Sequence, residues 1–442
     1  MSNKLIILTL VCVSLLALGG ISNAAVYEIN MYGASAEYNF WSNDDTLFLQ
    51  GLGCAAGDVY KAHTSDNNNA VAFCAGTVAW PPAPATNGKT GAGIVNAAMG
   101  IAASDTVVLR YSSKASYDGI EAVQGLDAFN TNVGTACAGS PHTRLMADET
   151  TATWASNTAT GTACKTVNVA NSDVQAQTFN ETTWGAQNGP AGGTVINRTV
   201  SGLTVPAGYT NKSPLVVPFA FFVNNSLNTG AFAGANSVSN LTRLEATQLF
   251  SGMVTDWSQL GYPAGAITVC LRHAGSGTLA TLDAAIMRGD YPLMQEENYA
   301  ASTLQWVGTQ PITYFNDGTG TELTCINMEP NAIGIADADK PNVAAGGGMN
   351  GYSQITFQGA AANHNNIING VYDYWSNEEI YYDTPYLTAN WGAVEGKIVN
   401  NAGGLISYVS NPANIPASEV NFWATYSQLS VTKANDFQYP GR

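Results

Sequence analysis

Four times along this chain an apolar, strand-like run ends in a short polar turn and helical sequence follows. Val26 to Tyr32 leads into Gly33-Ala34-Ser35-Ala36, and Thr106 to Tyr111 into Ser112-Ser113-Lys114-Ala115-Ser116. Val167-Asn168-Val169-Ala170 leads into Asn171-Ser172-Asp173, and Ala266 to Leu271 into the Gly-Ser turn from Arg272 to Thr278. After the last turn, Leu279, Leu282 and Ile286 share one helix face at i, i+3 and i+7. A further helix opens on the capping box Thr242-Arg243-Leu244-Glu245, with Leu241 as its staple and Gly252 at its far end. Leu215 to Val223 is continuously apolar, as in a strand buried on both faces. This alternation predicts an α/β protein. In open α/β sheets, ligands bind beyond the carboxyl ends of the strands, where these turns fall.

Lys4 precedes an apolar stretch from Leu5 to Leu18, and Ser22-Asn23-Ala24 forms a small-x-small cleavage site. The expectation is a signal peptide over residues 1–24 and a mature chain beginning at Ala25. The stretch is shorter than the roughly 20 residues that span a bilayer, and no later segment is apolar enough, so direct membrane insertion is not expected. A periplasmic or secreted product follows. The full chain's net charge of −16, −17 once Lys4 leaves with the signal, makes nucleic acid and anionic lipid poor partners. An anion site in such a chain must work through local dipoles and a well-placed cation.

Beyond Cys12, which lies inside the apolar leader, there are six cysteines. In an exported chain an even count implies disulfides, and six cysteines allow fifteen connectivities. The simplest pairs sequence neighbours: Cys54–Cys74, Cys137–Cys164 and Cys270–Cys325. Each of the two shorter loops is worth ~3 kcal/mol in the chain-entropy account. Zinc would need CxxC or clustered histidines, and His63, His142, His273 and His364 are scattered. No metal or cofactor is expected.

An oxyanion needs backbone N–H groups at helix starts, hydroxyl donors and an arginine fork. The four turns hold all three. Asp173 is the informative oddity: a carboxylate beside an anion is favourable only where the ligand has a proton to donate. Hydrogen phosphates do, and sulfate at neutral pH does not. An unprotonated ligand would set lone pairs against lone pairs in a dry site.

These residues carry a resemblance. Tyr32-Gly33-Ala34-Ser35-Ala36, Val169-Ala170-Asn171-Ser172-Asp173, Leu249-Phe250-Ser251-Gly252-Met253-Val254-Thr255-Asp256-Trp257 and Val269 to Thr278 match four motifs in order. The chain resembles the phosphate-binding protein of phosphate ABC transporters, of the type 2 periplasmic-binding-protein superfamily. Ala332-Ile333-Gly334-Ile335-Ala336 and the stretch from Asn366 to Tyr374 agree. The resemblance implies that Arg272 is the cationic fork and that Asp173 accepts the ligand's proton. Ser276, Gly277 and Thr278 would donate from a helix start, Ala34 and Ser35 from the first turn. Ser116 is the hydroxyl expected of the second turn, with Tyr117 as its alternative. The family's Asp two residues after the arginine is here Ala274, Lys114 is an added charge, and Ala36 replaces an aromatic.

The expected architecture is a two-lobed Venus flytrap with a two-strand hinge. Lobe one would comprise residues 25–218 and 337–442, with disulfide-stapled, loop-rich insertions at about 42–105 and 130–165. Lobe two would be residues 219–336. The expected function is binding, not catalysis: an exported receptor for a small oxyanion, phosphate foremost, serving a membrane ABC permease. Two alternatives stand beside it. One is an exported binding module or scaffold uncoupled from transport. The other is a secreted phosphohydrolase, for which the sequence offers neither a metal cluster nor an activated nucleophile. The stretch from Ala83 to Thr90 loosely resembles a P-loop, but its first glycine is replaced and prolines stiffen it.

Overall fold

A computed structural model describes residues 24–81, 87–187, 195–288, 299–300, 305–306, 312–383 and 393–441. Residues 1–23 of the expected signal peptide and part of the P-loop-like stretch lie outside the described residues. The fold is mixed α/β, built on two nine-stranded sheets.

At the centre of the first sheet lie β1 (Val26–Gly33), β2 (Thr106–Ser113) and β3 (Val169–Ser172). β1 is parallel to both of its neighbours, with Gly33 opposite Ser113 on one side and Asn171 on the other. The second sheet is built around β4 (Leu215–Asn224), β5 (Thr268–Arg272), β6 (Ile312–Asn316) and β7 (Ala332–Asp337). β5 runs parallel to β6 and β7, and all ten residues of β4 are buried. Parallel neighbours end on one edge, so the polar turns gather at the carboxyl ends of each sheet.

Three of the four turns open the expected helix; after Asp173 only a short 3-10 turn, Ala176–Thr178, forms before the next strand at Thr182. α1 (Tyr38–Gly51) follows β1, and α2 (Ser116–Gln124) follows the second turn. α3 (Arg243–Phe250) opens on the full capping box of Thr242 and Glu245. α4 (Gly277–Thr281) follows the arginine turn and runs on as a π-helical turn, Leu282–Met287. α5 (Thr319–Met328) follows β6.

All three expected disulfides form, with Cα separations of 5.9 Å for Cys54–Cys74, 5.5 Å for Cys137–Cys164 and 6.1 Å for Cys270–Cys325. The last ties β5 to α5.

The stretch at 42–105 is more regular than a loop-rich insertion. It contains most of α1 and the antiparallel strands Val59–Thr64 and Asn69–Cys74, and the second strand pairs with β2. Cross-strand burial against that neighbour outweighs the turn-forming Asn67-Asn68-Asn69. At 130–165, Thr143–Ala147 and Thr162–Thr166 pair as an antiparallel ladder. Strands Thr182–Gln187 and Val195–Thr199 extend the second sheet through β6. Tyr352–Gln354 joins that sheet beside β4. The second sheet thus recruits strands from outside 219–336. The chain passes between the sheets at Lys212–Leu215, and again at Asn377–Glu379, where Glu378 alone separates a strand of one sheet from a strand of the other.

Candidate functional site

The carboxyl ends of the two sheets face each other, and the first turn is shaped by close approach. Gly33 has φ +141°, and a Cβ there would stand 2.1 Å from the Asn171 carbonyl oxygen. That contact lets the Ala34 amide donate to the same carbonyl at 3.0 Å, while the Tyr111 hydroxyl donates to the Ala34 carbonyl. The Ala34 amide, expected to serve the ligand, is thus already committed to the neighbouring turn. Ser35 projects toward the opposite sheet.

There it meets Arg272, at the carboxyl end of β5. Arg272 Nη1 donates to Ser35 Oγ at 3.1 Å and to Thr319 Oγ1 at 3.0 Å, and Nη2 donates to the Asp317 carbonyl at 3.2 Å. Arg272 is 1% exposed, and its Nε finds no hydrogen-bond partner among the described residues. The guanidinium is therefore oriented by hydroxyls and a carbonyl. Ala274 is fully buried instead among apolar neighbours that include Tyr117 and Phe129.

The second and third turns meet at Asp173. Ser116 Oγ donates to Asp173 Oδ2 at 3.2 Å and accepts from the Asp173 amide at 3.3 Å. The Tyr117 ring packs on Phe129 and Phe179. The start of α4 closes directly on the Ser116–Asp173 pair. A Cβ on Gly277 would lie 2.5 Å from both Asp173 Oδ2 and Ser116 Oγ. The Tyr117 amide also donates to the Gly275 carbonyl at 3.1 Å. Ser276 is the N-cap of α4 and is buried, as is Thr278, whose Oγ1 has no hydrogen-bond partner among the described residues. Asp173 Oδ1 likewise lacks one.

Electrostatics sharpen this arrangement. Burial, and then the charge of Asp337, push the Asp173 carboxyl up to about 8, against the pull of Ser116 and Arg272. Behind the first turn, Glu37 and Glu378 are both fully buried and both accept from Asn171 Nδ2. Burial and their mutual repulsion raise Glu37 well above the carboxylate range. Burial and then Arg198 depress the His273 imidazole to about 3, so it is neutral at physiological pH.

Outside the Ser35–Thr319 pair, whose hydroxyls lie 3.4 Å apart, a cavity of about 570 Å³ opens between Asn39 and Lys114 on one side and Asp317, Thr319 and Lys340 on the other. Sequence reasoning missed Thr319 and Asp317. They were detectable: Asp317-Gly318-Thr319-Gly320 follows an apolar strand and opens α5, as three of the four recognised turns open theirs. Among the described residues no group of three or more His, Cys, Asp or Glu side chains could hold a metal ion. No helix there is long and apolar enough to cross a membrane.

The geometry thus sets a guanidinium, a proton-holding carboxyl group and several hydroxyls at the meeting point of two α/β units. A family model described as a PBP superfamily domain matches residues 208–409, which hold the arginine turn and β4 to β7. Over those residues the chain is similar to a PBP superfamily domain. Several solved structures are similar to it. An ABC-type phosphate transport receptor from Vibrio cholerae is 18% identical, covering 49% of this chain and 67% of its own, with a TM-score of 0.30. A phosphate binding protein from Stenotrophomonas maltophilia is 12% identical, with coverage of 82% and 79% and a TM-score of 0.37. A human phosphate binding apolipoprotein is 14% identical, with coverage of 88% and 89% and a TM-score of 0.42.

Proposed function

We propose that this chain is an exported solute-binding protein that takes a small, proton-bearing oxyanion, phosphate, between its two α/β units for ABC-type uptake. The observation that carries this reading is the convergence of Arg272 and Asp173, from opposite sheets, in one buried site with the hydroxyls of Ser35, Ser116 and Thr278. Arg272 would neutralise the anion. Asp173 would share the ligand's proton, and the start of α4 would supply backbone and hydroxyl donors. In the arrangement described above the jaws touch each other directly, so a ligand enters by parting them and is then enclosed.

The Asp173 carboxyl, poised near neutrality, is the element that discriminates. Once ionised it repels an anion with no proton to give. The test is a thermal-shift screen of the mature protein against phosphate and sulfate, since a ligand that binds only the folded state raises the melting temperature by mass action. At pH 8.5, where the Asp173 carboxyl group is ionised, stabilisation by phosphate alone is expected. Indifference to both anions would favour the scaffold alternative, and turnover of a phosphate ester would favour hydrolysis.

A further inference from the structure

The last residues of the chain lie across both jaws. The Thr432 and Gly441 backbones exchange two hydrogen bonds, of 2.8 and 2.9 Å, so the residues between them form a loop closed on itself. At its root, Lys433 is 3% exposed; its Nζ donates to the Asp373 carbonyl at 2.7 Å and the Trp375 carbonyl at 2.5 Å, over the Trp375 ring. On one side the loop grips the segment that follows Asp173. Asp436 Oδ2 accepts from the Gln175 amide at 2.8 Å and from Thr178 Oγ1 at 2.6 Å, and Asp436 is itself 3% exposed. On the other side it grips the helices of the second sheet. The Tyr439 ring stacks under the Arg288 guanidinium at 3.4 Å and that of Arg243 at 5.0 Å, while the Phe437 carbonyl accepts from Arg288.

Arg243 opens α3, and Arg288 ends the helical run that begins with α4 at the arginine turn. The loop therefore joins the run carrying Asp173 to the run carrying Gly277 by bonds that bypass the ligand. We propose that residues 432–441 are an interlobe strap that holds the jaws together and slows ligand release. Its grip on the first jaw is the buried Asp436, and its grip on the second combines the buried Lys433 bonds to the Asp373 and Trp375 carbonyls, beside β4, with a cation–π stack on Tyr439, which is 56% exposed. The Asp436 bonds are the contacts that break when the jaws part, because the loop stays rooted on the second sheet through Lys433. Opening then leaves the loop attached to the second sheet, with the Tyr439 stack in place, and ready to re-form the bridge.

The test is the full-length mature chain with Asp436→Ala and Tyr439→Ala combined, and with Tyr439→Ala alone as the variant that leaves every buried contact in place. Release of inorganic phosphate, followed by intrinsic tryptophan fluorescence, should accelerate at least fivefold in the double variant and less in the single one. Small-angle scattering of the ligand-free protein should show a larger radius of gyration than the wild type. Unchanged release and unchanged dimensions in folded variants would overturn the strap. If the wild type binds no phosphate, the function proposed above fails instead, and the scattering comparison still decides the strap on its own.

Discussion

Arg272 Nη1 donates to Ser35 Oγ at 3.1 Å across 237 positions of sequence, joining the carboxyl end of a strand in one sheet to the first turn of the other. No local interaction explains that contact. It exists because the two sheets are packed with their polar edges face to face, and under the function proposed above it lies where the anion would be seized from both sides. The same guanidinium holds Thr319, so the cation is pre-aimed by hydroxyls that a ligand oxygen could replace.

Arg272→Ala should weaken phosphate binding at least tenfold, because a hydrogen bond to a charged group contributes ~1.5–3 kcal/mol. Isothermal titration of the folded variant checks this. Wild-type affinity would remove Arg272 from the site.

Asp173→Asn should narrow the preference for phosphate over sulfate, since an amide at this position can donate to an oxyanion that has no proton. The effect should be largest above pH 8, where the native carboxyl group is ionised. Competition titrations at pH 8.5 and pH 6 read the ratio directly. A preference unaltered at both values would place the proton acceptor elsewhere.

Gly277→Ala should block closure while leaving each unit folded. The added methyl would meet Asp173 Oδ2 and Ser116 Oγ at 2.5 Å, so the start of α4 must stand off from the third turn. Phosphate affinity should fall by more than tenfold, with the melting temperature of the ligand-free protein little changed. Full binding would show that the two turns do not meet in the bound state.

Buried acids make stability depend on pH in a definite sense. Burial raises Asp173 and Glu379 to about 8, and Asp45 and Glu121 to about 7. In the folded chain these groups keep protons that the unfolded chain gives up near pH 4. Their contribution is full below that value and is lost as pH rises through 7 to 8. Lys433, depressed by burial to about 7, acts oppositely, but mainly above neutrality. The melting temperature of the ligand-free protein should therefore drop by roughly 5 °C or more between pH 5 and pH 8. A flat or rising profile would mean that these carboxyl groups are solvated.

The arginine turn could be read from the sequence because it combines an apolar run, a polar break and a helix start within about ten residues, and the Asp173 turn because its apolar run ends in a polar break, although only a 3-10 turn follows it. The disulfides were legible for a similar reason, as their partners are neighbours along the chain. The contact between Arg272 and Thr319 was not, because it depends on β6 lying beside β5 with Arg272 opposite Asn316, a register set by tertiary packing. The strands at 59–64 and 69–74 were hidden by polar residues such as Lys61, His63 and the three asparagines. Pairing with β2 overrides that local preference for turns. The buried Glu37 and Glu378 carry no sequence signal at all, since they are 341 positions apart and meet beside Asn171.

The most direct measurement is a crystal structure of the mature protein grown with phosphate. It should show one phosphate buried between the sheets, with an oxygen within hydrogen-bond distance of Arg272 and another within reach of the Asp173 carboxyl group. Arg272 and Asp173 both far from the bound anion, or phosphate confined to the surface, would contradict the account.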